Sequence, residues 1–553
     1  MFLPKAEQKA KLAEQTADLE KLIAQHRAGE LTADQLRYPR LLTGLYKQLP
    51  HVKHMQRTKT TGGFLTARQL EIMAEIAERW GRNVGHVTTR QNFQFHYLEL
   101  EDTIEIQRLL QSDDMNTRAA CGHTVRTMTA SHLAGIDPDE VFDISPYPLA
   151  ATDYFLFHPY NTKLPRKFKI AFEGGKRDLA KLRLHEIGLY ATVEGGQAGW
   201  RVYCAGGTGS FPQAARLAFR FVPKDDLLIA MDALLAMFHD TGNRGNLKKA
   251  RFKFVVGTLG AEEFDAKVRA YYAQIEAARG AELRAGLRRW IAENWAPETG
   301  PAVQGGAPAS AAPGFARWLA TNTGPQKQPG YSYAVVKLPL GDVTGPQMRA
   351  VAALARQYGN GNVRTAISQN LLLPFVPSEN LGRVYEGLAA AGLAEAGAFG
   401  ISDVTSCPGA DYCELAVTKS MSVAGRIRAQ LALEPAKYDA LGAFEVKVSG
   451  CPNGCGQHHV GDIGMTGMMV KKNGADEPHF SLMLGGGGVE GEYQIGTRVD
   501  GKYHEETAPF VVERLVAHYL ANRGSTAESF QQFIRRAGAK NVQKAVLTDL
   551  VTV

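Results

Sequence analysis

The sequence predicts an α+β protein built from two diverged copies of one αβ unit, related by a pseudo-twofold axis. Three internal matches carry this. Residues 63–92 align with residues 341–370 at a constant offset of 278, without a gap. Gly63, Thr66, Gln69, Ala74, Ala77, Gly81, Gln91 and Asn92 reappear as Gly341, Thr344, Gln347, Ala352, Ala355, Gly359, Gln369 and Asn370. Phe168–Gly174 aligns with Phe444–Gly450, and Gly175 then stands where Cys451 stands. The stretch Tyr203-Cys204-Ala205-Gly206-Gly207 aligns with Met483-Leu484-Gly485-Gly486-Gly487. Repetition of this kind marks a duplicated structural unit, and a site shared by the copies is expected at their junction.

Taken in order, residues 1–48 set Leu12, Leu19, Leu22 and Ile23 at helical spacing among Lys, Glu and Gln, which predicts a charged helical arm. Residues 49–115 open the first copy, with strand patterning from about His51 and a turn at Thr60-Thr61-Gly62-Gly63. Thr66 caps a helix running to about Trp80. His86–His96 reads as one strand, because side chains alternate faces along an extended chain. Thr88, Arg90, Asn92, Gln94 and His96 share one face, and Gln91, Phe93, Phe95 and Tyr97 the other. Such a polar face is either a solvated edge or the wall of a ligand site.

Residues 116–295 follow, helical over 225–290 with Leu227, Leu228, Met231, Leu234 and Leu235 at core spacing. Gly242–Lys253 interrupts them with five cations that face either water or a carboxylate. The Pro/Gly/Ala-rich stretch 296–330 predicts a flexible linker between the copies. Residues 331–398 repeat the first unit, and 399–553 complete the second copy.

A chain of 553 residues allows several domains and ample core. No apolar run is long enough to span a bilayer, and Met1–Lys9 lacks a signal core, so a reducing cytoplasm is the default. The net charge of +7 predicts acidic ligands or partners. Nucleic acid is discounted, since no Lys/Arg run or nucleic-acid module occurs.

Four of the six cysteines lie in one window, as Cys407-Pro-Gly-Ala-Asp-Tyr-Cys413 and, 37 residues on, Cys451-Pro-Asn-Gly-Cys455. A cubane cluster needs four thiolates converging from loops that leave room for its inorganic core. Zinc sites favour tighter C-x2-C or C-x4-C pairs, and disulfides suit secreted chains richer in cysteine. Spacing alone therefore favours an iron–sulfur cluster over zinc or inert thiols. The first copy has no such motif and carries Arg57, Arg126, Lys167 and Lys169 instead. Lys167 and Lys169 are two apart, so on a strand both point one way while Phe168 faces the core. Taken alone, such a pair is more often solvated than ligand-bound.

Cys407–Cys413 with Ser449-Gly-Cys-Pro-Asn-Gly-Cys-Gly456 resembles the paired signatures of the assimilatory sulfite and nitrite reductase family. Leu164-Pro-Arg-Lys-Phe-Lys169, Thr88-Thr-Arg-Gln-Asn92 and the Arg ahead of Gly62-Gly63 are similar to that family's sites, and the likeness covers nearly the whole chain after residue 49. The resemblance implies ferredoxin-like half-domains alternating with sirohaem and iron–sulfur domains. Cys407, Cys413, Cys451 and Cys455 are then the ligands of a [4Fe–4S] cluster, with Cys455 shared with the sirohaem iron. Arg57, Arg126, Lys167 and Lys169 fall where the family binds its oxyanion. Arg90, Gln94, Asn453, Arg166 and Gln369 fall where it binds sirohaem.

The implied activity is six-electron reduction of sulfite to sulfide, with nitrite to ammonia as the alternative and a non-catalytic iron–sulfur carrier as the reading from another class. Lys169 favours sulfite, because the family's nitrite-specific members tend to carry Asn there. No G-x-G-x-x-G opens a βαβ unit, so electrons come from a separate protein, a ferredoxin or an NADPH-dependent flavoprotein. Cys204 aligns with Leu484 and reads as a core residue, Cys121 as a packed thiol near Arg126, and His458 and His459 as supports behind the cluster.

Overall fold

Thr66 and Thr344 begin the two helices that carry the duplication. Each side-chain oxygen accepts from the backbone three residues on, and Gln69 and Gln347 return the bond to the cap, so both copies hold the same capping box. The structure, a computed structural model, describes residues 2–48, 53–472, 474–488 and 493–551.

Helices Lys5–Arg27 and Ala33–Leu42 lead into β1 (Leu45–Gln48), β2 (Lys53–Arg57), β3 (Phe64–Thr66), the helix Ala67–Arg79, β4 (Val84–Val87) and β5 (Phe93–Leu98). β6 (Thr129–Ala130), β7 (Ile170–Glu173), β8 (Ile187–Glu194), β9 (Gln197–Cys204) and β10 (Arg216–Pro223) follow, then the helices Leu227–Thr241 and Ala261–Asn294. The second copy runs β11 (Thr323–Pro325), β12 (Tyr331–Val336), β13 (Asp342–Thr344), the helix Gly345–Tyr358, β14 (Asn362–Thr365) and β15 (Leu371–Pro377). β16 (Thr405–Ser406), β17 (Val446–Ser449), β18 (Ile463–Lys472), β19 (Ala475–Leu484), β20 (Thr497–Arg498) and β21 (Tyr503–His504) complete it.

The half-domain sheets are ordered β1-β2-β5-β4-β13 and β11-β12-β15-β14-β3, so each copy lends one short strand to the other's sheet. The exchange is reciprocal: Asp342 pairs with His86, and Phe64 pairs with Arg364. One hydrophobic core, with Leu70, Met73, Phe93, Met348, Val351 and Leu371, runs through both half-domains. The other two sheets repeat one another as well. β6, β7 and β8 are parallel with β9 antiparallel, and β16, β17 and β18 are parallel with β19 antiparallel. Cys204 and Leu484 end equivalent strands, both fully buried, as their alignment predicts.

Three expectations change. His86–His96 is two strands, β4 and β5, joined by a tight turn closed by the Gln91 N–H on the Thr88 carbonyl. Gln91 takes a left-handed conformation there (φ 62°), and Gln369 repeats it in the second copy (φ 71°). Neither Gly nor Asn, the usual occupants of that conformation, marks the turn. Arg90 and Gln94 therefore do not share one strand face. Strand structure starts at Leu45, inside the expected arm, and His51 lies outside the described residues. The expected linker is strapped down: the helix Phe315–Asn322 buries Trp318 completely, and Tyr331 and Tyr385 donate to the carbonyls of Pro301 and Pro313. One Trp and one Phe on a two-turn helix are too short a pattern to be read as periodic.

Candidate active site

β2 ends at Arg57, opposite Gln94 in β5. With its amide oriented to satisfy both groups, the Gln94 oxygen accepts from Arg57 Nε at 2.9 Å. Arg57 Nη1 also reaches the Ala120 carbonyl and Cys121 Sγ, each at 3.3 Å. Arg126 meets the same Ala120 carbonyl at 2.9 Å, the Gly122 carbonyl at 3.1 Å and the Tyr46 hydroxyl at 3.3 Å. Two guanidinium groups are thus aimed by one loop.

Arg90 leaves the β4–β5 turn to bond the Thr127 carbonyl and His185 Nε2, the latter at 2.7 Å, while its Nε is buried without a partner. His185 Nδ1 is 2.9 Å from the Lys181 carbonyl, so Nδ1 carries the proton and Nε2 accepts. Burial and then Arg90 hold that imidazole neutral, well below its usual pKa.

Lys167 and Lys169 flank Phe168, which is fully buried and bridges Val125. Burial pushes Lys167 down to about 8, helped by Arg251, Arg126 and Arg166, with Cys455 opposing. Burial, Arg90, Lys167 and Arg251 push Lys169 well below the lysine range, with Glu186 opposing. Arg90 falls to about 9, by burial and then Arg126. So many cations converging out of water repel one another and call for an anionic occupant.

The cysteines face this wall from the other copy. Cys407 follows β16, and its sulfur accepts from the Gly450 N–H at 3.2 Å and lies 3.3 Å from the Ser420 hydroxyl. Cys413 sits one turn on, its N–H on the Gly409 carbonyl at 2.9 Å. Cys451 and Cys455 lie on the loop after β17. Thr89 donates to the Cys455 carbonyl at 2.8 Å, and Gln457 returns a bond to the Thr89 carbonyl at 3.2 Å. Burial raises the Cys407 thiol to about 12, and the charge of Cys455 adds to the rise at Cys407, Cys413 and Cys451. At Arg57, burial lowers the pKa, but Cys121, Tyr46, Cys455 and Cys413 together outweigh it. The thiols and the cation wall are therefore electrostatic neighbours.

Among the described residues no group of three His, Cys, Asp or Glu side chains could hold a single metal ion. Four cysteines on two loops, with Cys455 bearing on the other three, fit the wider cubane. Glycines make the loops possible: a Cβ on Gly456 would lie 2.1 Å from the Val448 carbonyl, and one on Gly450 2.7 Å from that of Thr418. On the opposite wall, the orphaned Arg90 Nε and the massed cations fit a polycarboxylate tetrapyrrole.

The expected residues distribute unevenly. Arg57, Arg90, Gln94, Arg126, Lys167 and Lys169 share the wall. Arg166 stands at its margin, half-buried, 2.9 Å from His123. Asn453 is exposed, and its carbonyl takes the Thr208 hydroxyl at 3.4 Å. Gln369 lies at the seam between the copies. Its Nε2 reaches the Val87 carbonyl (3.0 Å) and His86 (3.2 Å), and its oxygen takes the Ser406 N–H (2.9 Å). Both amide hydrogens are used within the chain, as at Gln91, whose Nε2 meets the Thr365 carbonyl and whose oxygen takes the Ala130 N–H. These glutamines staple one copy to the other. His458 and His459 are buried behind the cysteines, bonded to the Ser449 hydroxyl and the Gly209 carbonyl.

Sequence reasoning missed Tyr46, Glu186 and Arg251. Arg251 had a readable signal, because Arg251-Phe252-Lys253 repeats the cation–Phe–cation pattern of Lys167-Phe168-Lys169. The two phenylalanines pack at 5.9 Å between ring centres, which turns Arg251 and Lys253 of the basic loop inward and leaves Arg244, Lys248 and Lys249 exposed.

Comparison with known proteins identifies the family. The description "Nitrite and sulphite reductase 4Fe-4S domain" matches residues 121–275 and 398–552, and "Nitrite/Sulfite reductase ferredoxin-like half domain" matches 47–113 and 324–391. The chain is 29% identical over 441 residues to the ferredoxin–nitrite reductase of Synechococcus elongatus, covering 78% of this chain and 80% of that protein. It is 29% identical over 497 residues to sulfite reductase [ferredoxin] 2 of Mycolicibacterium paratuberculosis, covering 87% and 82%. Its fold is similar to that of the Mycobacterium tuberculosis NirA protein, with a TM-score of 0.78 and 23% identity over 93% of this chain and 92% of that one. With both domain types matched twice, in alternation, the chain belongs to the nitrite and sulphite reductase family, whose members use sirohaem and a [4Fe–4S] cluster.

Proposed function

We propose that the protein reduces sulfite to sulfide with six electrons, and that reduction of nitrite to ammonia is the second reading. The observation that carries this is the placement of Arg57, Arg126, Lys167 and Lys169 of the first copy against Cys455 of the second. When bound, the sirohaem and cluster supply single electrons and a site for the anion's central atom. The chain's own work is electrostatic and protonic. Arg57 and Arg126, fixed by the Ala120 carbonyl, neutralise the oxyanion, and fixed donors need no reorganisation as charge builds. Lys167, with its proton affinity brought down to about 8, gives up a proton readily near neutral pH. Cys407, Cys413, Cys451 and Cys455 hold the cluster, and Arg90 and Gln94 face the sirohaem.

Sulfite is favoured by the second lysine. A dianion that must lose three oxygens draws on more charge and more protons than nitrite does. A ferredoxin donor suits a chain of net charge +7, and the names of the relatives favour it over an NADPH-dependent flavoprotein. Among the described residues no helix is long and apolar enough to cross a membrane, and we place the protein in the cytoplasm. Anaerobic assays of sulfite and nitrite turnover, each with reduced ferredoxin and with an NADPH flavoprotein, test the reading. Sulfide formation with ferredoxin at the higher kcat/KM is expected. Faster ammonia formation from nitrite would reverse the order, and no turnover of either anion would leave an electron carrier.

A further inference from the structure

Between the pairs Gln56–Phe95 and His54–Leu98, β5 carries two residues, His96 and Tyr97, where β2 carries only Met55. The extra residue makes a bulge, and Tyr97 takes the left-handed conformation there (φ 63°). Glycine is the usual occupant of such a position. An aromatic residue persists in it only where its surroundings hold it. Gln48 does so: its Oε1 accepts the Tyr97 N–H at 3.0 Å and lies 3.2 Å from His96 Nδ1. A bulge re-aims side chains, and this one brings two rings onto Tyr412, the residue before Cys413. The ring centres lie 4.4 Å from Tyr412 for His96 and 5.5 Å for Tyr97. The exposed Arg82, also left-handed (φ 53°), rests on the Tyr97 ring with its guanidinium carbon 3.8 Å from the centre.

The second half-domain repeats the device at the same offset of 278. Phe375 is left-handed (φ 54°), Gln326 Oε1 accepts its N–H at 2.6 Å, and the strand pairing slips at the equivalent place. Phe375 packs in one apolar cluster with Ile136. Ile136 precedes Asp137, whose N–H meets the Leu133 carbonyl as the Cys413 N–H meets that of Gly409. Each half-domain thus sets a strained aromatic residue on the equivalent loop of the other copy. The contact recurs where no cysteine stands, so its task is to fix the loop. We propose that Tyr97 and Tyr412 are positioning residues for the iron–sulfur cluster, the bulge of the first half-domain clamping the Cys407–Cys413 loop of the second copy and with it the place of Cys413. The proposal rests on the function proposed above, in which these thiols hold the cluster. Within itself the loop is tied by the N–H groups of Tyr412 and Cys413 on the Gly409 carbonyl, bonds that shape a turn without fixing it against the half-domain. A loop free to shift admits water to the thiolates, which favours the more highly charged, reduced cluster.

The test uses anaerobic holoprotein of four variants. Tyr97→Gly removes the ring and gives the bulge the residue its backbone prefers, so the fold is spared. Tyr412→Ala removes the ring from the loop, and Tyr97→Phe and Tyr412→Phe keep both rings. The rate of iron loss to a chelator, the midpoint potential of the cluster and Tm are read beside turnover. Tyr97→Gly and Tyr412→Ala should each speed iron loss about tenfold, as the loss of one local aromatic restraint does. The potential should move upward in both, Tyr97→Gly should keep the wild-type Tm, and the two Phe variants should match wild type throughout. Wild-type iron retention and potential in Tyr97→Gly would overturn the proposal, whatever Tyr412→Ala does. A large fall in Tm in Tyr97→Gly would overturn it as well, making the ring a support of the whole fold. Wild-type protein without iron–sulfur absorption would instead overturn the function on which the proposal rests.

Discussion

The cation cleft has a silent twin, and setting the two side by side separates what the fold needs from what the chemistry needs. Arg57 and Gln94 are cross-strand partners in the first half-domain, and Val335 and Leu372 are the equivalent partners in the second. Where Cys455 stands in one copy, Leu179 stands in the other. Val335, Leu372, Leu179, Leu133, Ile136 and Phe399 pack into one apolar cluster, so the twin cleft is filled by the chain itself. The cysteine positions repeat down to the backbone. Cys407 N–H meets the Val448 carbonyl as Ser131 N–H meets that of Phe172, and Cys413 N–H meets Gly409 as Asp137 N–H meets Leu133. In the silent copy Ser131, Asp137, Gly175 and Leu179 replace the four thiols, and the Glu173 carboxylate collects the N–H groups of Gly174, Gly175 and Ala180. Each large aliphatic side chain buried there stabilises by about 1.5–3 kcal/mol. The cleft facing Cys455 forgoes that and holds cations that repel. One half secures the fold, and the other can then carry an unstable wall.

Substitutions can break or sharpen this contrast. The largest effect belongs to Cys455→Ser: cluster and tetrapyrrole absorption should be lost together, with turnover. A variant keeping the full spectrum and full sulfite turnover would remove Cys455 from its shared place. Next, Val335→Arg puts the cation of the live cleft into the silent one, where no anion waits. It should cost about 3–5 kcal/mol in denaturant unfolding, as an uncompensated buried charge does. A neutral result would mean that the twin admits water or an anion.

Lys169→Asn acts within the live cleft. It should lower kcat/KM for sulfite by the equivalent of one charge-assisted hydrogen bond, about 1.5–3 kcal/mol or tenfold to a hundredfold. Nitrite turnover should fall less or rise, and equal losses would make Lys169 a support of the cofactor or the fold. The smallest effect is in the silent copy. Burial, then Asp178, raises Glu173 to about 8, above the usual carboxylate range near 4.3. The folded state therefore holds that proton more tightly, so stability from this group falls as pH rises from about 4.3 to 8. Glu173→Gln should flatten Tm against pH across that window, and an unchanged slope would show that Glu173 does not titrate there.

Much of this was legible in the sequence for a physical reason: duplication preserves backbone requirements. Thr66 and Gln69 recur as Thr344 and Gln347 because both helices need the same cap, and the offset of 278 survives in every strand of the half-domains. The cysteine motifs were legible because only thiolates and close-approach glycines serve a cluster. The turn at Gln91 was not, since its left-handed residue is held by distant bonds, to Thr365 of the other copy and to Ala130, and not by local preference. The seam contacts of Gln369 were hidden for the same reason, its partners Val87 and His86 lying some 280 residues away in the chain. Glu186 and Arg251 could not be paired from the sequence, because nothing local to either announces the other.

If one cleft of the duplicated pair holds the cofactors, the stoichiometry of the loaded protein follows. Iron and extracted tetrapyrrole should be measured per chain in anaerobically purified protein. One tetrapyrrole and one cubane per chain, about five irons in all, is the predicted result. Two tetrapyrroles per chain would mean that the cleft filled by Val335, Leu372 and Leu179 had opened and that both copies bind cofactor.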